Sequence, residues 1–174
     1  MKLEIGCGKN PTPGYLHTDA RTDISEPDII CMGYALPFKD ETFDEIYNSG
    51  VFEHFMLPEA HQALIEWKRV LKPGGIIDFN VPDVYRWAKY LVEAVESQSG
   101  RSQEGGYDQA RIMMSLYGWQ GHTHDIHKFG WTEALLVGFV VQIGFVEVHI
   151  YRRWAYAGEA DAHLCLRARK PDQC

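Results

Sequence analysis

Four clusters in this sequence combine residue types and spacings suited to chemistry. In the first, Leu3-Glu4-Ile5 runs into Gly6-Cys7-Gly8. Two glycines let the backbone turn sharply and let a ligand approach the main chain closely. Glu4, a carboxylate within an apolar run, is costly to bury unless loop N–H groups or a cationic ligand pair with it. In the second, Asp19 closes His17-Thr18-Asp19. An acid ending a strand is placed to accept the hydroxyls of an adenosine ribose, and a turn-forming Asp is the plainer reading. The third is the segment 35–55, with Asn48, Ser49 and Gly50 at its expected strand end and His54 just beyond. The fourth is His122-Thr123-His124-Asp125-Ile126-His127. Imidazoles that titrate near neutrality suit proton transfer. The same run comes close to a HxHxDH metal pattern, but its Asp and the neighbouring residue stand in the wrong order. Acceptor binding and a simple polar loop are the other readings, and no metal ligand set is assigned.

These clusters need elements to hold them. Residues 2–5, 15–18, 29–32 and 43–48 read as short strands. Over 58–71, Ala60, Leu64, Trp67 and Leu71 share one helical face, and Lys72-Pro73-Gly74-Gly75 stops the helix. A strand over 76–81 and a helix over 84–96 follow, the latter with Trp87, Leu91 and Val95 on one face. A Ser/Gln/Gly-rich loop over 97–106 leads to a short helix over 107–116 and a Gly- and His-rich loop up to Gly130. Thr132 is the expected N-cap of a helix reaching Gln142. Strands at 145–151 and 163–168 are joined too tightly for a crossover, so they should form an antiparallel hairpin. The alternation predicts a Rossmann-like α/β sheet of about seven mostly parallel strands, with helices on both faces. Ligands of such sheets bind beyond the carboxyl ends of the strands.

The 174 residues predict a single domain spanning 1–174, 45% hydrophobic and 24% charged. A net charge of −7 and a pI near 5.6 argue against nucleic acid as the main partner. Tyr151-Arg152-Arg153-Trp154 is the one candidate basic patch, with a solvated strand end as the plainer reading. Cys7, Cys31, Cys165 and Cys174 form no CxxC pair and are expected to be reduced thiols of a cytoplasmic protein. The opening MKLEIGCG lacks the pattern of a signal peptide, and no apolar run is long enough for a membrane helix. An exposed terminal hairpin could pair in a homodimer.

Taken in order, LEIGCG, HTDA, ALPFKDETFDEIY, VFEHF and KRVLKPGG resemble the class I S-adenosylmethionine (SAM)-dependent methyltransferases, in particular the broad bacterial "type 11" group. The resemblance covers about residues 3–81, and FGWTEALLVGFVVQIGFVEV is weakly similar to the family's last helix and sixth strand. It implies SAM as cofactor and methyl transfer as the reaction. Gly6, Cys7 and Gly8 should then meet the methionine half of SAM, with Glu4 supporting that loop or approaching the sulfonium or amino group. Asp19 should bind the ribose hydroxyls and Leu36 should pack near the adenine. Asn48 and Ser49 should line the floor beneath the methionine part, with His54 close by as the candidate catalytic residue. Many relatives carry an Asp where Met32 stands, so the backbone of Met32 or Gly33 is expected to supply the adenine contact. No helix is expected ahead of the first strand. The acceptor is read as a small molecule or saccharide-type compound, with Asn80, Asp83, His122, His124 and His127 on its side. Tyr107, Tyr117, Trp119, Phe129 and Trp131 either line its pocket or serve the core. A SAM-fold binding or partner protein without catalysis is the alternative, suggested by Met32 and the absent leading helix. An NAD enzyme ranks last, because GCGKNP lacks the third glycine of GxGxxG.

Overall fold

The computed structural model describes residues 1–152 and 162–172. Its strands are β1 (Lys2–Ile5), β2 (Leu16–Asp19), β3 (Ile29–Ile30), β4 (Phe43–Ser49), β5 (Leu71–Pro82), β6 (Val146–Tyr151) and β7 (His163–Arg169). The helices are α1 (Leu57–Val70), α2 (Val84–Glu96), α3 (Gln109–Tyr117) and α4 (Glu133–Gln142), and a 3₁₀ turn spans Phe52–His54. One sheet joins the strands in the order β3-β2-β1-β4-β5-β7-β6. β7 runs antiparallel to both neighbours, and every other pairing is parallel. The expected seven-stranded, mostly parallel sheet with its C-terminal antiparallel pair is therefore the observed fold. The chain builds outward from β1 to β3 and then returns to place β4 on the other side of β1. That reversal opens a crevice at the carboxyl ends of β1 and β4.

Alternation along the strands sorts the two faces. Leu3, Ile5, Ile46, Ile77 and Phe79 point to one face and bury against α1 and α4, where Trp67 and Leu136 are fully enclosed. The Trp67 indole N–H donates to the Gly33 carbonyl at 2.8 Å, so its burial leaves no orphaned donor. The other face carries a lateral row, Glu4-Tyr47-Asp78-Arg167, in register across four strands. Two of its charges face each other, Arg167 lying 3.6 Å from Asp78, and Tyr151 also donates to Asp78.

On this polar side the chain leaves two of its connections without regular structure. The connections over 6–15 and 20–28 contain no helix. Pro11 and Pro13, with Gly8 and Gly14, break the first, and Pro27 stands in the second. Within α2 the buried residues are Trp87, Tyr90 and Ala94, while Val95 is exposed, so the packed face is rotated from the predicted one. Thr132 occupies the N-cap position of α4 but makes no side-chain capping bond. α1 passes directly into β5 at Leu71 rather than pausing at 72–75, where β5 instead bulges away from β4. Among the described residues, no helix is long and apolar enough to cross a membrane. Among the described residues Cys7 and Cys31 are free thiols, and Cys174 and positions 153 and 154 of the basic patch lie outside the described residues. Arg152 itself turns inward, donating to Asp83 and to the His163 carbonyl.

Candidate functional site

A cavity of about 550 Å³ opens at the carboxyl ends of β1, β2, β4 and β5. One wall is the loop after β1. Gly6 and Gly8 hold left-handed backbones with φ of +71° and +56°. A Cβ on Gly6 would sit 2.3 Å from Val51 Cγ2, so here the loop presses against the entry to the 3₁₀ turn. A Cβ on Gly8 would meet none of the described residues within 4 Å, leaving an open cradle above the main chain. The N–H groups of Gly6 and Cys7 donate to the Thr18 carbonyl at 2.7 and 3.1 Å, and the Gly8 N–H donates to Asp19 Oδ2 at 2.9 Å. Asp19 Oδ1 accepts from the Arg21 N–H at 2.9 Å. Each carboxylate oxygen carries more than one acceptor site, so Asp19 can still receive hydroxyl donors from a ligand.

Glu4 had two roles open to it, and its bonds serve loop support. Oε2 accepts from the Thr12 N–H at 2.7 Å and Oε1 from the Thr12 hydroxyl at 2.6 Å. Burial, reinforced by Asp19 and Glu4, pushes the Cys7 thiol up to about 11. At pH 8 only about one Cys7 in a thousand would then be thiolate, the reactive form. Alkylation of Cys7 by iodoacetamide, followed by peptide mass mapping, should be slow at pH 8 and accelerate about tenfold per pH unit toward 11. Labelling at pH 8 as fast as in the urea-unfolded chain would contradict this environment.

The opposite wall joins the 3₁₀ turn to the segment before α4. Phe52 is fully buried, and its ring packs against Trp67, Phe79 and Trp131 at centroid distances of 5.5, 5.1 and 5.0 Å. The next two residues, Glu53 and His54, consequently face the cavity. The Glu53 carbonyl accepts from the N–H groups of Lys128 and Phe129 at 2.9 and 3.2 Å. His54 Nδ1 lies 3.1 Å from the Ile126 carbonyl. Those contacts seat His127 beside Glu53, with Nε2 4.0 Å from Oε1, and edge-on to His54 at 4.9 Å between ring centroids. Burial lowers the His127 pKa, and the Glu53 charge opposes that only in part. α3 supplies Arg111, Met114 and Ser115 to the lining, and the Arg111 guanidinium lies 4.4 Å over the Trp119 ring.

Among the residues singled out from the sequence, Glu4, Gly6, Cys7, Gly8, Asp19, Met32, Gly33 and Ser49 line the cavity, as do His54, Asn80, His122, His124 and His127. Three do not. Leu36 packs in the main core, its N–H donating to Glu66 and its carbonyl accepting from Arg69. Asn48 shares the core-facing side of β4 with Ile46, is 1% exposed, and has no hydrogen-bond partner for its amide among the described residues. Asp83 caps α2, accepting from the Tyr85 and Arg86 N–H groups. The histidine run also divides. His122 and His124 belong to a local turn in which Asp125 N–H donates to the His122 carbonyl and His124 N–H to His122 Nδ1, while His127 alone joins Glu53. Of the five clustered aromatics, only Trp119 lines the cavity. Glu53 went unremarked in the sequence, although it sits in the VFEHF motif; a single acid in a short loop has no periodicity to mark it.

Residues 3–79 match the family model described as a methyltransferase domain. The human protein named "Probable tRNA methyltransferase 9B" is 34% identical over 98 residues, covering 47% of this chain and 22% of that protein. A Mycobacterium tuberculosis protein named "Uncharacterized methyltransferase" is 35% identical over 72 residues, covering 40% of this chain and 28% of that one. The chain thus spans less than a third of the length of either relative. Among solved structures, a SAM-dependent methyltransferase from Thermotoga maritima superposes with a TM-score of 0.62 at 18% identity, covering 97% of this chain and 81% of its own. A Burkholderia thailandensis N1-methyltransferase with bound S-adenosylhomocysteine gives 0.61 at 15% identity, covering 98% and 71%.

Proposed function

We propose, for a chain that belongs to the class I SAM-dependent methyltransferases, that it is an enzyme moving the methyl group of SAM to a small-molecule, saccharide-type acceptor. The observation that carries this is the cradle over Gly8, with open space above a left-handed glycine whose N–H is fastened to Asp19. A Cβ would project into that open space, and its absence leaves room for an adenosyl ligand, so the residues present fit that group. When bound, SAM supplies an electrophilic methyl on a positively charged sulfur. The chain's own residues do the rest. The Gly6–Gly8 backbone lets the ligand approach, and Asp19 offers its remaining acceptor sites to ribose hydroxyls. Ser49 lines the same cavity, its hydroxyl accepting from the Asn80 amide at 2.9 Å. The acceptor is assigned to the wall formed by His54, His127, Asn80 and α3, where Met114 and Ser115 help to exclude water.

A cavity of about 550 Å³ falls within the roughly 300–1,000 Å³ of small-ligand sites. The net charge of −7 disfavours a polyanionic acceptor. The name of the human relative favours a tRNA nucleoside as the second reading. Titration calorimetry with S-adenosylhomocysteine tests the cofactor, and methyl incorporation into a panel of free sugars, nucleotide-linked sugars and tRNA tests the acceptor. Product on a sugar supports the proposal. Product on tRNA alone replaces its acceptor, and no binding of S-adenosylhomocysteine removes its foundation.

A further inference from the structure

Glu53, His54 and His127 each present one ligand-competent atom, and these atoms all lie within 4.8 Å of one another. Glu53 is 3% exposed, and its Oε2 has no hydrogen-bond partner among the described residues. A buried carboxylate oxygen without a donor is costly, and a cation is one group that would satisfy it. We propose that these three side chains form a binding site for one divalent metal ion on the acceptor wall of the cavity.

Three observations support the assignment. The donor set is two imidazoles and one carboxylate, a combination that holds zinc and related first-row ions while leaving positions open for a further ligand. The set is braced from outside. Glu53 is tied through its carbonyl to Lys128 and Phe129, His54 faces the Ile126 carbonyl through Nδ1, and the His127 N–H donates to the Tyr117 carbonyl at 3.1 Å. Bracing of this kind, a ring nitrogen held by a backbone carbonyl above all, orients imidazoles for metal binding. Finally, the site opens into the cavity, so an acceptor oxygen could complete the coordination. Zinc holds such donors at about 2.0–2.2 Å, so binding would draw the three ligand atoms closer together.

This inference rests on the acceptor reading above and makes it more specific, since it selects acceptors with a hydroxyl. Beside the cation such a hydroxyl releases its proton to water more readily. Its oxygen lone pair then forms the C–O bond to the methyl carbon, while the C–S pair returns to sulfur.

The test titrates the full chain, purified free of metal, with zinc chloride and cobalt chloride, with magnesium chloride for comparison. Expected is one zinc per chain, with visible cobalt bands typical of a mixed nitrogen and oxygen site. Glu53→Gln and His54→Gln should each weaken zinc binding at least tenfold. His124→Gln, in the neighbouring turn, should not. S-adenosylhomocysteine binding is measured on every variant. Its retention in Glu53→Gln shows that the fold and cofactor cradle survive, and if that variant fails to fold, the partly exposed His54→Gln carries the test. Absence of zinc binding to a chain that still binds S-adenosylhomocysteine overturns the metal site and leaves the cofactor reading standing. Zinc affinity that survives Glu53→Gln and His54→Gln but falls in His124→Gln places the ion elsewhere and also overturns it.

Discussion

Replacing Asp19 with alanine should weaken binding of S-adenosylhomocysteine by about 2–4 kcal/mol, roughly thirty- to several-hundred-fold. Two losses combine. The carboxylate holds the Gly8 N–H through Oδ2 and the Arg21 N–H through Oδ1, so its removal frees the loop that shapes the cradle. It also removes the acceptor sites offered to the ribose hydroxyls, and hydrogen bonds to a charged group contribute about 1.5–3 kcal/mol each. Asparagine is no neutral replacement here, because one amide oxygen cannot serve two N–H donors that diverge to separate carboxylate oxygens.

A cycle over protein and ligand separates the two losses. With an analogue lacking the ribose hydroxyls, the penalty of Asp19→Ala should shrink to the part that reflects loop loosening. A penalty equal for both ligands would mean that Asp19 acts only on the loop. No penalty with either would remove Asp19 from the site. Calorimetry supplies all four affinities.

The parts of the fold that sequence patterns revealed are those with strong periodicity or hard punctuation. β1 and α2 begin and end where predicted, because apolar spacing and flanking Gly and Asp mark them. The 3₁₀ turn Phe52–His54 escaped, since three residues carry no period. Ser49 and Asn48 show a readable signal that went unused. In β4, Glu45, Tyr47 and Ser49 share one face, while Ile46 and Asn48 share the other, paired beside Ile5 and Phe79. A side-chain period of two thus places Ser49 toward the cavity and Asn48 toward the core. His122, His124 and His127 illustrate the opposite limit. Their closeness in sequence suggests one cluster, yet a turn closed by the Asp125 N–H separates the first two from the third. Only long-range packing brings His127 to His54, seventy-three positions back, and no local pattern encodes it.

The packing behind that pairing predicts the largest effect on stability. Phe52→Ala should cost about 3–5 kcal/mol, the range for removing a buried aromatic ring. For a domain of typical stability, about 5–15 kcal/mol, that is a third or more of the total in many cases. The ring is fully enclosed and touches Trp67 from α1, Phe79 from β5 and Trp131 from the segment before α4. Its loss leaves a cavity where three elements meet, and the rigid aromatic neighbours limit collapse into it. Urea unfolding should show a lower midpoint with an unchanged slope, the mark of altered stability rather than altered compactness. Phe52→Leu, which fills most of the space, should lose far less. Because Phe52 anchors the turn that carries Glu53 and His54, the alanine variant under native conditions should also lose zinc affinity more steeply than affinity for S-adenosylhomocysteine. The cofactor cradle depends instead on Gly8 and Asp19, across the cavity. A stability loss below about 1 kcal/mol would show that the turn is held by its backbone bonds to 128 and 129 rather than by the ring.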